Sequence, residues 1–501
     1  MMDWLTERSA ASADALALIS GKRRWTYGEL DRLVNALAGS LQAQGVQPGD
    51  LVAALLPNSL TYVCLIHALA RLGAVLVPLN TRLTEDEIAW QIGHVGAKWL
   101  VAERELSIVN CQLLIVNEEF IRTAESLTID HCPLTIDNLQ CVVFTSGTSG
   151  RPKGAMLTFA NHYASAMASA ERLGVRADDR WLSVLPLYHV GGLAVILRSC
   201  LAGTAVSLHP RFDLDAINDD LDHNPISLIS LVPTMLHRLL ETRTHWPASL
   251  RLILLGGAAA PAELVEQANA LPRKAVGSRE LVVDSNNFTI HNSPPLVAPT
   301  YGLTEAASQV ATATPEEAAR KPGSVGKPLP GLTVTIVDEH GRSLPPNTPG
   351  EIVVSGPTVM AGYFIADCGL RRRQSAIRNL PTGDIGYLDE EGDLWVMQRR
   401  SDLIVSGGEN VYPAEVEVVL KSHPAVADAC VVGAPDVVWG QVVAAAVVLR
   451  EETAVTPTDL AYFCRERLAG YKTPRRWQIC PALPHTPSGK IARREVAAMF
   501  A

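Results

Sequence analysis

The sequence is poor in several things, and each shortage removes a class of function. Basic residues are outnumbered, 43 lysines and arginines against 52 aspartates and glutamates, for a formal net charge of -9 over 501 residues. A chain that grips nucleic acid through a basic surface has the opposite balance, so that class is excluded and any anion must be held by local groups. The nine cysteines (Cys64, Cys111, Cys132, Cys141, Cys200, Cys368, Cys430, Cys464, Cys480) are scattered, odd in number and never form a CxxC pair. Most lie among apolar neighbours, where reduced cysteine packs, so zinc and redox centres are set aside. Clean apolar runs of membrane-spanning length are missing too. Leu185 to Leu208 is interrupted by His189 and Arg198, and Ala425 to Leu449 by Asp428, Pro435, Asp436 and Gln441. The opening MMDWLTERSA has no basic region leading into an apolar one, so no secretory signal is read there and the cytoplasm is the expected location. No internal repeat or low-complexity tract occurs.

What is present belongs to a soluble globular protein, with 48% hydrophobic and 19% charged residues. Single cores stop growing near about 250 to 300 residues, so one large and at least one small domain are expected. From Tyr27 to Val101 helical spacing (ELDRLVNALAGSLQAQG) alternates with short apolar runs such as LVAALLP and AVLVPLN. Strands alternating with helices predict a largely parallel α/β sheet. The pattern returns at Arg180 to Pro186, Ala205 to Leu208, Ile226 to Val232 and Leu252 to Leu255, and a β-rich stretch with turn chemistry follows from Gly331 to Val354. At RRSDLIVSGGENVYP, Arg399 to Pro413, charge and glycine replace the apolar rhythm. The boundary is expected near Ser401, giving residues 1–400 and 401–501, the second a helix, strand, strand unit of small-domain size.

One stretch concentrates the chemistry. CVVF, from Cys141, has the character of a buried strand, and TSGTSGRPKG cannot continue it. Glycines let a backbone approach a ligand and aim its N–H groups into a concavity, hydroxyls add donors, and Lys153 adds a point charge, a combination suited to phosphate oxygens. It is not a Walker A loop, because Pro152 stands five residues after Gly147 and Gly154 follows the lysine, and a GxGxxG fingerprint is missing. Composition alone also allows a polar surface loop.

Spacing decides between them. TSGTSGRPKG resembles the signature of the adenylate-forming superfamily, which comprises acyl-CoA synthetases, luciferases and adenylation domains of peptide synthetases. PLYHVGGL (Pro186 to Leu193), GGAAAP (Gly256 to Pro261), YGLTE (Tyr301 to Glu305), TGD (Thr382 to Asp384), RRSDLIVSGGENVYP and PSGK (Pro487 to Lys490) follow in the family's order. The resemblance covers nearly the whole chain. It implies an α/β fold with a large multi-subdomain N-terminal adenylation domain and a small mobile C-terminal α+β domain, and ATP, Mg2+ and CoA as cofactor and co-substrates. The implied partners are these and a small-molecule carboxylic acid, with no nucleic acid and no membrane insertion; a homo-oligomer is compatible with the sequence.

The implied reaction joins a carboxylate to the α-phosphorus of ATP, releasing pyrophosphate, and then lets a thiol displace AMP. A carboxylic acid is already ionised at neutral pH, so the first step needs alignment and charge neutralisation rather than a base. By the resemblance, Thr145, Ser146, Gly147, Thr148, Ser149, Gly150 and Lys153 hold the β- and γ-phosphates. Thr304 touches the α-phosphate, and Glu305 ligates magnesium, a hard cation suited to carboxylate oxygen. Tyr301 stacks on adenine, with Gly257, Ala258 and Ala259 along the ring edge; Asp384 accepts from the ribose hydroxyls, with Arg399 beside them. Lys490 bridges carboxylate and α-phosphate in the transition state, and Gly407 and Gly408 line the path of the pantetheine arm after the small domain rotates. Each position has a plainer reading: a helix cap at Thr304 and Glu305, a core tyrosine at Tyr301, solvated charges at Asp384, Arg399 and Lys490.

Arg198 is out of place in HVGGLAVILRSCLAGTAV. A charge there must pair, snorkel outward, or wait for an anionic substrate. PLYHVGGLAVILRS and the segments downstream look most like the o-succinylbenzoate-CoA ligases of menaquinone biosynthesis, whose acid carries a second carboxylate. The resemblance puts Arg198 on that ring carboxylate and His189, with Gly256, beside the acyl group; a satisfied core histidine is the plainer reading of His189. Three features depart from the pattern: the long Arg273 to Pro295 segment before YGLTE, the RRRQSAIR stretch before TGD, read as a solvated basic face, and Gln398 where a glycine commonly stands. The rivals are a ligase for a fatty or aryl acid, a carrier-loading adenylation protein, and a binding protein without turnover. The resemblance predicts that Lys490→Ala abolishes acyl-adenylate formation yet spares thioester formation from a supplied acyl-adenylate. Single-turnover assays of the two half-reactions check this, and equal loss of both overturns the role of Lys490.

Overall fold

LVAAL, VLVP and WLVA, the apolar runs between the first helices, become the adjacent strands Leu51–Leu55, Val75–Pro78 and Trp99–Ala102 of the computed structural model. They pair in parallel, Val52 with Leu76 and Val52 with Trp99, as strands joined by helical crossovers must. The helix before them and the first one between them begin and end on recognisable residues. Tyr27–Ala43 starts from a Thr26 capping box closed by Glu29, and Leu60–Leu72 starts from Ser59 and stops at Gly73, whose φ of 68° only glycine adopts freely. The structure describes residues 3–105, 111–123, 135, 137–145, 152–274, 294–365, 379–398, 403–450, 455–485 and 491–501. The expected boundary residue Ser401, residues 275–293 of the Arg273 to Pro295 segment and the whole RRRQSAIR stretch lie outside them.

The chain divides into two units. The first comprises Met1–Asn80, Val95–Val143 and Ala155–Met397, and the second Thr81–His94, Phe144–Gly154 and Gln398–Ala501. In the first, a nine-stranded sheet runs in the order Lys327–Pro328, Ser308–Thr312, Val297–Leu303, Leu252–Leu255, Leu228–Leu231, Arg180–Ser183, Ala205–Leu208, Leu16–Ser20 and Arg23–Thr26. Its central strands are parallel and buried on both faces, which is why they read as unbroken apolar runs. A four-stranded antiparallel sheet of Thr333–Val337, Gly350–Ser355, Leu380–Leu388 and Leu394–Gln398 carries TGD.

The second unit forms the expected helix, strand, strand motif: Pro413–Lys421, then the antiparallel Val426–Asp436 and Gly440–Leu449, joined in parallel by Arg476–Ile479. Thr81–His94 groups with it, where Lys472 donates to Glu87 Oε1 at 2.6 Å and Glu415 Oε1 at 2.7 Å. Among the described residues no helix is long and apolar enough to cross a membrane. The described cysteines are free thiols, and burial pushes that of Cys430 up to about 11, Arg493 opposing, as befits packing rather than reactivity.

A buried charge ties three helices of the first unit. Arg71, 1% exposed at its side chain, pairs with the equally buried Asp3 at 3.1 Å and with Asp31 at 2.5 Å. Asp3 also caps the first helix, accepting from Thr6 N at 3.1 Å. Burial raises the Asp3 carboxyl, but the Arg71 guanidinium and Thr6 outweigh it and hold it below its ordinary value. Its contribution is therefore present above the unfolded value of about 3.9 and lost as pH falls through the lower folded one. Asp3→Asn, which takes from Arg71 the more deeply buried of its two carboxylate partners and leaves it Asp31, is predicted to cost about 3 kcal/mol at neutral pH, less as the medium is acidified below pH ~4. Urea unfolding across pH checks this, and a pH-independent difference contradicts it.

Candidate active site

YGLTE occupies the hairpin between Val297–Leu303 and Ser308–Thr312, where Leu303 pairs with Ser308 and Gly302 with Gln309 across a bulge. Between them Thr304–Ala306 makes one turn of 3₁₀ helix. Two non-glycine residues in left-handed backbone, Ala307 at φ 53° and Ser308 at φ 111°, then reverse the chain. Such conformations are costly and persist only when the surroundings enforce them. Gly302 is one enforcement: a Cβ there would stand 2.0 Å from the Ser308 carbonyl oxygen. Ser165 donates to Ala307 O at 2.9 Å, and Met360 N to Glu305 O at 2.9 Å.

The turn presents Glu305, buried at 8% exposure, whose Oε1 accepts from the Tyr363 hydroxyl at 2.8 Å. Tyr301, 2% exposed, donates its phenol to Asp384 Oδ2 at 2.6 Å. TGD is shaped for this: Thr382 donates to Ile352 O at 2.7 Å, its oxygen accepts from Asp384 N at 3.1 Å, and Gly383 turns at φ 75°. The YGLTE and TGD motifs thus meet directly in the first unit.

GGAAAP leaves the carboxyl end of Leu252–Leu255, the edge at which open α/β sheets bind ligands. Gly256 lets Thr300 approach, since a Cβ would lie 2.7 Å from its methyl, and Gly257, at φ 81°, is followed by half-buried Ala258 and exposed Ala259. PLYHVGGL turns into helix Val190–Ala202 with half-buried His189 at its N-cap, its ring edge-on to Tyr188 at 4.7 Å. Asn58 clamps that turn, accepting from Leu187 N at 2.8 Å and donating to Leu185 O at 3.0 Å.

Arg198 lies nine residues along this helix from His189, about 13 Å at ~1.5 Å per residue. It is 6% exposed and pairs with no carboxylate among the described residues, which removes the ion-pair and snorkelling readings. Its Nη2 donates to Ser308 Oγ at 3.3 Å, Nε has no hydrogen-bond partner among the described residues, and the guanidinium sits 5.9 Å from the Trp181 ring centre. Burial pushes its pKa down to about 10. The same burial, with Arg198 adding to it, takes neighbouring His162 down to about 4, so that ring is neutral at physiological pH.

Thr145 ends strand Leu139–Thr145 and Lys153 opens Lys153–Thr158, both half-buried. In the second unit Gly407 and Gly408, at φ 58° and 86°, turn between Ile404–Ser406 and Glu409–Val411. Gly407 N donates to Trp439 O at 2.9 Å, and a Cβ on it would stand 2.6 Å from the Trp439 ring. Ser146 to Gly150, Arg399 and Lys490 lie outside the described residues. Sequence reasoning missed Tyr363, Ser165, Ser308 and Asn58. Only Asn58, a lone polar residue between a strand and a helix, carried a local signal.

The fold and these motifs define a nucleotide-dependent activating enzyme: the chain belongs to the AMP-binding enzyme family, which it matches over residues 5–364, with the family's C-terminal domain at 415–490. It is 40% identical over 500 residues to a 2-succinylbenzoate–CoA ligase of Bacillus cereus, covering 99% of this chain and 98% of that one. With the ligase of the same name from Bacillus licheniformis the identity is 39%, covering 99% of each chain. Among solved structures, o-succinylbenzoate CoA synthetase from Bacillus subtilis with a product analogue superposes at a TM-score of 0.88, 38% identical, covering 99% and 98% of the two chains. The same enzyme with ATP and magnesium gives 0.71 at 38% identity, covering 99% of each.

Proposed function

We propose that this chain is an AMP-forming acid–CoA ligase that converts 2-succinylbenzoate into its CoA thioester in menaquinone biosynthesis, working in the cytoplasm, with residues 1–400 as adenylation domain and 401–501 as a mobile C-terminal domain. The observation that carries the choice of acid is Arg198, a buried cation without a carboxylate partner among the described residues, in a helix capped at its start by His189. A charge held this way is costly alone and is stabilised by an anion. Fatty and plain aryl acids bring no second anion to it, whereas 2-succinylbenzoate does.

In this reading the residues divide the work. The backbone of Thr145 to Gly150 and Lys153 binds the β- and γ-phosphates, so that pyrophosphate is an already neutralised leaving group. Asp384, oriented by the Tyr301 phenol, accepts from the ribose hydroxyls, Arg399 supports the sugar, and Tyr301 with Gly257 to Ala259 lies along adenine. Thr304 donates to the α-phosphate. His189 and Gly256 lie beside the acyl group, and Lys490 bridges the attacking carboxylate and the α-phosphate, where negative charge gathers. Gly407 and Gly408 admit the thiol arm for the second step.

Glu305 fits a magnesium ion in its chemistry: a buried carboxylate, oriented by a neutral phenol that leaves its charge intact. Magnesium takes one or two carboxylates and fills the rest of its shell with water and nucleotide phosphates. Bound there it supplies charge neutralisation to the phosphates.

Acid-dependent pyrophosphate release across a panel of acids, with and without CoA, tests the proposal. Strong release with 2-succinylbenzoate and thioester formation only with CoA is expected; a fatty acid as the best substrate, or release without any thioester, contradicts it. Arg198→Leu is predicted to weaken use of 2-succinylbenzoate by about 1.5 to 3 kcal/mol in kcat/KM while leaving the KM for ATP nearly unchanged. An unaltered KM for the acid refutes the role of Arg198.

A further inference from the structure

The two non-glycine residues at positive φ after Glu305, Ala307 and Ser308, make the sharpest backbone outlier near the proposed site, and the tethers on that turn come from elements remote in sequence. Tyr363 reaches the Glu305 carboxylate at 2.8 Å, and Ser165, 2% exposed on helix Phe159–Leu173, donates to Ala307 O at 2.9 Å. Tyr363 belongs to a two-residue strand, Gly362–Tyr363, that pairs with Met156 and Ala155 of the strand opening at Lys153. Ala361 N continues that pairing, donating to Met156 O at 2.9 Å.

We propose that Tyr363 and Ser165 are positioning residues for Glu305: Tyr363 ties the carboxylate to the strand that opens at Lys153, and Ser165 holds the strained turn behind it. The choice of groups supports this. A phenol orients a carboxylate while leaving its charge available to a cation, whereas lysine or arginine at position 363 would neutralise it and compete. A strained turn gives a carboxylate a single fixed aim only while its tethers hold, and loss of one lets the chain relax. Partners that orient a ligating group affect metal affinity without touching the metal.

The inference rests on the reading of Glu305 as a magnesium ligand, and the experiment separates the two. Binding of α,β-methylene-ATP to the full-length protein is measured by calorimetry with and without Mn2+, for the wild type, Tyr363→Phe, Ser165→Ala and Glu305→Gln. Mn2+ is expected to tighten binding to the wild type, and Tyr363→Phe to lose roughly tenfold or more of that enhancement with metal-free binding unchanged. Ser165→Ala is expected to lose a smaller part of it, and to decide the matter if Tyr363→Phe does not fold. Thermal melts of the two variants matching the wild type exclude a general loss of structure. If Glu305→Gln keeps the enhancement, the metal reading fails and takes the proposal with it. If Glu305→Gln loses it while a folded Tyr363→Phe retains it, the metal reading stands and the positioning role of Tyr363 is overturned.

Discussion

The closeness of Gly302 to the Ser308 carbonyl governs the shape of the YGLTE turn in the larger unit. Any side chain at 302 would occupy the space of that oxygen, so the hairpin can close only on glycine. Closed, it forces Ala307 and Ser308 into left-handed backbone and throws Thr304 and Glu305 forward on a single 3₁₀ turn. The strain is balanced by bonds from Ser165, Met360 and Arg198, drawn from three separate parts of the chain. One glycine thus makes a local motif depend on the packing of the whole unit.

Charge follows the same logic at two depths. Arg71 is buried and saturated by Asp3 and Asp31, so it is a fastening for the helices that carry it. Arg198 is buried as deeply and has a hydroxyl in place of a carboxylate. Two arginines of like burial therefore have opposite meanings, and the difference lies in the partner. A buried ion pair recovers much of its desolvation cost, whereas a guanidinium held only by a hydroxyl keeps more of it. That penalty is offset when an anion arrives, which is why an arginine with no carboxylate partner among the described residues carries the proposal about the substrate.

Much of this was legible in the residues and some was not. Parallel strands showed as unbroken apolar runs because both of their faces are covered, and the helix, strand, strand motif after Pro413 showed for the same reason. TGD and YGLTE were legible as motifs, but their meeting through a 2.6 Å hydrogen bond was not, since 83 residues separate Tyr301 from Asp384. The same bond recasts Tyr301: the residue is 2% exposed, and beyond any contact with adenine it acts as a donor to Asp384. Tyr363 and Ser165 were invisible because nothing local distinguishes a tyrosine that reaches a carboxylate from one that packs. Arg198 was conspicuous as a charge in an apolar run, yet only its surroundings could decide between pairing, snorkelling and waiting.

The central claim is that the carboxylate of the acid attacks the α-phosphorus of ATP, with this chain supplying alignment and neutralisation. One bond forms, from carboxylate oxygen to α-phosphorus, and one breaks, between that phosphorus and the bridging oxygen of pyrophosphate. When the thiol later displaces AMP, the attacking oxygen leaves with the nucleotide. Supplying 2-succinylbenzoate with heavy oxygen in its carboxylates, together with ATP and CoA, therefore tests the account in one mass spectrum. The account predicts AMP carrying a single heavy oxygen and pyrophosphate carrying none; label in a phosphate or pyrophosphate product, or unlabelled AMP beside the thioester, would contradict it.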